Sequence, residues 1–126
     1  MERYEARFDR EGRITGLNDA LAKALGRGTA EVIGADYFET VFTDDDRPGV
    51  RCLFARLFRD YLPQTSENRL RTAKGRGPLV EWHARAEESP EGIVESFISV
   101  GRPAGEWNIV KKKGKSPDLR AGRGGI

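Results

Sequence analysis

Between residues 50 and 63 the hydrophobic period of the chain changes, and that change commits it to a mixed fold. Val50, Leu53, Phe54, Leu57, Phe58, Tyr61 and Leu62 recur at three- and four-residue steps, one continuous stripe along a long amphipathic helix. Pro63 interrupts the stripe, and beyond it the period drops to two. Residues 67–73, 79–87 and 93–100 read as three strands, joined by turn-forming stretches at 74–78 and 88–92.

The N-terminal half supplies the remaining elements. Residues 4–8 and 14–17 read as a hairpin around Gly12. Asn18 stands at an N-cap position, and Leu21, Ala22 and Leu25 continue a short helix that Gly26 and Gly28 stop. Thr29 is expected to cap a second short turn at 30–33, and Tyr37, Phe38, Val41 and Phe42 form a third apolar face. Thr43 to Asp46 should supply the cap and first-turn acids of the long helix, where Pro48 is tolerated. Cys52 lies opposite the stripe and should face solvent. The order predicts an α+β domain: a five-stranded antiparallel sheet with several short helices and one long helix on one face.

A chain of 126 residues and 14.1 kDa is one domain's worth. With 37% hydrophobic and 33% charged residues, a collagen-like chain or disorder over the whole length is excluded. Cys52 is the only cysteine, so neither a disulfide framework nor a cysteine-rich zinc site is available. No apolar run approaches the roughly 20 residues needed to cross a bilayer, and the first residues do not resemble a signal peptide. The expectation is a cytoplasmic protein with no membrane partner. Residues 102–126 carry seven basic side chains against Glu106 and Asp118, while the first 101 residues sum to −3 within a total of +2. The division expected is a folded body at 1–103 and a basic tail at 104–126. An acidic body argues against a nucleic-acid partner.

Enzyme chemistry finds little support. His83, the sole histidine, lies on the strand parity opposite Val80, Trp82 and Ala84, which suits the surface of a sheet. Asp44, Asp45 and Asp46 lack the alternating ligand spacing of a calcium loop. The glycines around Arg27 and Arg76 do not complete a phosphate-cradling pattern. The lysine run at 111–115 has only Trp107 as a neighbouring aromatic. No catalytic or metal site is expected.

One resemblance remains. Phe8-Asp9-Arg10-Glu11-Gly12-Arg13-Ile14, Leu17-Asn18-Asp19-Ala20, Glu31-Val32-Ile33-Gly34, Asp44-Asp45-Asp46-Arg47, Val80-Glu81-Trp82, Gly92-Ile93-Val94 and Val100-Gly101-Arg102 occur in order. Together they resemble a PAS domain, the sensor module of bacterial signalling proteins, over about residues 4–102. The resemblance implies an apolar cleft between helices and sheet, lined by Phe38, Leu53, Phe54, Leu57, Asn68, Leu70, Val80, Trp82 and Phe97. Either a small-molecule ligand fills it or these side chains fill one another's space.

Two cofactors can be argued against. The reactive cysteine of the flavin-binding, light-sensing members corresponds here to Tyr37, and their polar flavin-holding positions to Leu70, Val80 and Gly101. Haem-binding members place a histidine on the long helix, and residues 47–62 contain none. The family's usual output turn is altered as well, because Pro103 follows Gly101-Arg102. The resemblance thus implies a non-enzymatic sensor or interaction module acting through a homodimer or a separate signalling effector. By strand parity Val94, Ile98 and Val100 would form the outer-face interface. A ligand-free homodimerisation domain, a regulatory domain of a larger receptor such as a sensor histidine kinase, and a nucleic-acid binder using the basic tail are the alternatives.

Overall fold

Asp9 makes the first turn. Its carboxylate accepts from the Glu11 and Arg13 amides at 3.0 and 2.9 Å, closing the loop between β1 (Tyr4–Asp9) and β2 (Ile14–Leu17). The structure, a computed structural model, describes residues 3–104. Asn18 then caps α1 (Asp19–Leu25), its Oδ1 accepting from the Leu21 amide, and Gly26 ends that helix in the left-handed conformation. Two short helices follow, α2 (Thr29–Val32) and α3 (Tyr37–Val41), and then α4 (Arg47–Asp60). The chain closes with β3 (Gln64–Thr72), β4 (Gly75–Glu88) and β5 (Val94–Pro103).

All five strands form one antiparallel sheet in the order β2-β1-β5-β4-β3, so the two terminal strands of the chain meet at its centre. The expected α+β architecture is the one observed. Both edges are guarded. Gly34 and Ala35 exchange backbone hydrogen bonds with Ile14 along β2, and Phe42 forms an isolated bridge to Leu70 of β3.

Several local expectations need correction. At the start of α4, Asp46 holds the N-cap position but makes no capping bond. Its Oδ2 accepts instead from the Arg69 amide of β3 at 2.8 Å, so a tertiary partner has taken the carboxylate. No acid sits in the first turn of α4, and Asp44 pairs with Arg47. The stripe outlasts its helix: α4 ends at Asp60, Tyr61 adopts a left-handed C-cap at φ 58°, and both Tyr61 and Leu62 are exposed. Gly28, not Thr29, stands at the N-cap of α2. The last three strands run longer than their alternation suggests, because polar residues at their ends still pair in the sheet. Ala104, the first residue of the expected tail, is fully buried, and 105–126 lie outside the described residues.

The core lies between the sheet and the helices and is mostly aromatic. Phe8 stacks on Tyr37 at 4.3 Å between centroids, and Phe58 meets Phe97 edge-on at 4.9 Å. Phe42 meets Trp82 at 5.8 Å, and Phe38 meets Phe54 at 5.5 Å.

Candidate functional site

The strand register sorts the helix-facing surface of the sheet into rungs. One rung runs Tyr4, Gly101, Trp82, Ser66 and the next Ala6, Ser99, Ala84, Gln64. A third holds Phe8, Phe97 and Ala86. At its centre the middle rung carries the small side chains of Ala6, Ser99 and Ala84, with Trp82 on one side and Phe8 and Phe97 on the other. Tyr37 of α3 reaches toward that rung, with the Ser99 hydroxyl as its neighbour.

Gly101 is the residue that lets Trp82 lie flat. A Cβ at Gly101 would stand 2.6 Å from the Trp82 ring and 2.7 Å from Val80, closer than real Cβ contacts come. The indole therefore spreads over its strand neighbour and stays fully buried.

Of the nine expected cleft residues, Phe38, Phe54, Leu57, Leu70, Val80, Trp82 and Phe97 are buried, while Leu53 and Asn68 are half-buried. All the apolar ones belong to, or pack against, a single core cluster. Asn68 lies across the strand pair from Val80, one rung along from Ser66 opposite Trp82. Buried polar atoms without hydrogen-bond partners gather on this side of the sheet: Ser66 Oγ, Asn68 Oδ1, Trp82 Nε1, Ser99 Oγ and the Tyr37 hydroxyl. Thr43 Oγ1, just after α3, is in the same state. Burial pushes the Tyr37 phenol upward in pKa, and the adjoining Ser99 hydroxyl offsets part of that. Their oxygens do not meet as a hydrogen bond.

The outer face is different. Its rungs read Arg7, Ile98, Arg85 and Glu5, Val100, His83, Thr65. Arg7 grips Glu87 through two hydrogen bonds of 3.1 Å each, and Ser96 donates to the same carboxylate. The hydrogen bond from Arg7 holds Glu87 below its ordinary carboxylate range. His83 is exposed, 3.6 Å from Glu81 and 3.3 Å from the Thr65 hydroxyl. Ile98 is only 5% exposed and Val100 half-buried, and both lie on this face. Val94 does not. Glu87 pairs with Ser96 and Glu88 with Val94, so Glu95 is an extra residue in a β-bulge. The bulge reverses strand parity, and Val94 joins the core cluster instead of the outer face.

A family model for the PAS fold matches residues 8–104. The chain belongs to the PAS family. Solved structures carry the same fold at low sequence identity. The PAS domain of the Cronobacter turicensis quorum-sensing receptor RpfR, in complex with BDSF, is 20% identical with a TM-score of 0.68, the match covering 82% of this chain and 94% of that one. Drosophila melanogaster Cycle PAS-B with bound ethylene glycol is 16% identical with a TM-score of 0.67, covering 79% and 98%. The N-terminal domain of a Marinobacter aquaeolei diguanylate cyclase with a PAS/PAC sensor is 10% identical with a TM-score of 0.70, covering 85% and 99%. No curated protein sequence matches.

PAS domains are generally sensory modules without catalytic activity of their own, and this chain is a PAS sensory domain. Among the described residues no group of three or more His, Cys, Asp and Glu side chains could hold a metal ion, and no helix is long and apolar enough to cross a membrane. Sequence reasoning missed Ser66, Ser99 and Thr43 as parts of this PAS core, and placed Tyr37 on an apolar face without counting it among the cleft residues. Parity was the available signal for two of them, since Ser66 shares a face with Asn68, and Ser99 with Phe97.

Proposed function

We propose that this PAS domain senses a small, uncharged and mostly apolar molecule held between the helix-facing surface of the sheet and α3 and α4. One observation carries the reading: Ser66 Oγ, Asn68 Oδ1 and Trp82 Nε1, on adjacent rungs, are buried and have no partner. A buried polar group left unpaired costs about 1–3 kcal/mol, so a core meant only to be filled would not gather three of them. A guest with one hydrogen-bonding end would meet them, its apolar body lying against Leu53, Phe54, Leu57 and Phe38. The polar atoms without partners all belong to uncharged side chains, which favours a neutral guest over an ion.

The signal would be a change in how α4 lies on β3 and β4, passed to the outer face and read there by a second copy or an effector through the half-buried Val100, which stands beside the nearly covered Ile98. The second reading is a ligand-free dimerisation domain, favoured by the close aromatic contacts of the core. Native mass spectrometry of freshly purified protein separates the two. A subunit heavier than the bare 14.1 kDa chain, returning to it on denaturation, is the expected result. Bare subunits that bind nothing from a library of small neutral apolar compounds would overturn the sensor reading in favour of the filled core.

A further inference from the structure

A cleft of about 480 Å³ opens between the end of α1, the start of α3 and the end of β3, and shares no residue with the nine expected on the inner face. Its size is that of a small-molecule site. Leu25 and Ala73 contribute apolar wall, and Arg27, Arg71, Asp36 and Glu39 contribute charge of both signs.

The hydrogen bonding around these four is incomplete in a complementary way. Arg71 is aimed by a bond of 2.8 Å from its Nη1 to the Glu39 carbonyl, which leaves Nε and Nη2 without a partner among the described residues. Arg27 makes no side-chain hydrogen bond among the described residues, only an ion pair to Glu31 at 3.6 Å from its Nε. Arg51 of α4, outside the cleft lining, approaches Asp36 Oδ1 at 3.4 Å and Glu39 Oε2 at 3.6 Å. Asp36 Oδ2 and Glu39 Oε1 accept no hydrogen bond among the described residues. Spare guanidinium donors and spare carboxylate acceptors thus line one concave surface. Beside it the β3–β4 register shifts between Arg69 and Arg71, Leu70 standing opposite the two β4 residues Gly77 and Pro78 while keeping the inward parity of Ser66 and Asn68. Gly77 permits that shift, since a Cβ there would stand 2.8 Å from the Leu70 carbonyl.

We propose that this cleft binds a small zwitterion, an α-amino acid or short peptide, with its carboxylate on Arg27 and Arg71 and its ammonium on Asp36 and Glu39. A simple anion would meet the two carboxylates and a simple cation the two guanidiniums, so only a molecule with both charges gains at each end. The site is independent of the inner-face reading and would give the domain a second input.

The test is an amide NMR titration of the full chain with the dipeptide Ala-Ala, using propionate and ethylamine as single-charge controls. Saturable shifts at residues 25–27, 36–40 and 71–73 with the dipeptide alone are expected. Arg27→Gln, which removes no backbone contact, and Arg71→Gln should each weaken binding about tenfold, the effect of losing one charge-assisted contact. Three results would overturn the proposal: no saturable shifts at millimolar dipeptide, equal shifts with propionate, or dipeptide shifts gathered at Asn68 and Trp82. Failure here leaves the inner-face reading standing, because that reading is judged by retained mass.

Discussion

The two faces of one sheet handle polarity in opposite ways. On the outer face polarity is abundant, charged and in several places paired: Arg7 with Glu87, Ser96 with Glu87, His83 beside Glu81 and Thr65. On the inner face polarity is sparse, uncharged and unpaired, with Ser66, Asn68, Trp82, Ser99 and Tyr37 each holding a buried atom without a partner. Exposed charges can rely on water, so their pairing adds little to stability. Buried neutral groups cannot, so their lack of partners marks the place where the fold is incomplete by itself. The inner face is therefore where a guest would have most to offer the protein.

The contrast can be broken most forcefully at Trp82. Trp82→Ala removes the largest fully buried side chain and should cost about 3–5 kcal/mol in chemical denaturation. Gly101→Ala tests the same region from the other side, by adding an atom where the indole lies. About 1–3 kcal/mol of destabilisation is expected, with a changed Trp82 fluorescence spectrum. An unperturbed, fully stable Gly101→Ala protein would show that the indole does not lie against this strand.

Asn68→Leu sharpens the comparison, because its sign is opposite. Removing a buried, unpaired acceptor should leave the ligand-free protein equally stable or more stable by about 1 kcal/mol, while any retained small molecule is lost. A clear loss of stability in the ligand-free form would mean that Asn68 has a partner after all. On the outer face, Val100→Glu should shift a dimer toward monomer in sedimentation without changing the melting temperature, if that face joins two copies. The smallest effect belongs to Arg7→Ala. Glu87 titrates below its unfolded value because Arg7 hydrogen-bonds it, so its contribution is complete above the ordinary carboxylate range and fades as pH falls through the lower folded value. The variant should lose no more than about 1 kcal/mol near pH 7, and the gap should close in acid. A gap that widened in acid would contradict that assignment.

Much of the architecture was legible in the chain because period survives folding. The alternation after Pro63 and the helical stripe before it give three strands and α4, and Asn18 and Gly26 bracket α1 as their chemistry requires. What escaped was decided by single residues whose partners lie far away. Asp46 looks like a cap until the Arg69 amide claims it. Val94 looks outward until Glu95 bulges out of the ladder and reverses the parity. Tyr61 continues the stripe on paper but ends the helix, where Arg10 donates to its hydroxyl at 2.8 Å. The apolar side of the candidate site could be read from the stripe and the strands. Of its polar side only Asn68 was read; strand parity pointed to Ser66 and Ser99 as well, but a serine taken by itself looks the same whether it faces water or the core.

The Trp82 indole N–H reports most directly on the central claim, since it is a buried donor with no partner and carries its own NMR signal. Its resonance, assigned by comparison with Trp107→Phe, should be followed in protein as purified, after unfolding and refolding to strip small molecules, and after the extracted material is returned. The account predicts a shift on stripping and its reversal on return. An indole resonance identical in all three states, in protein that refolds fully, would contradict it.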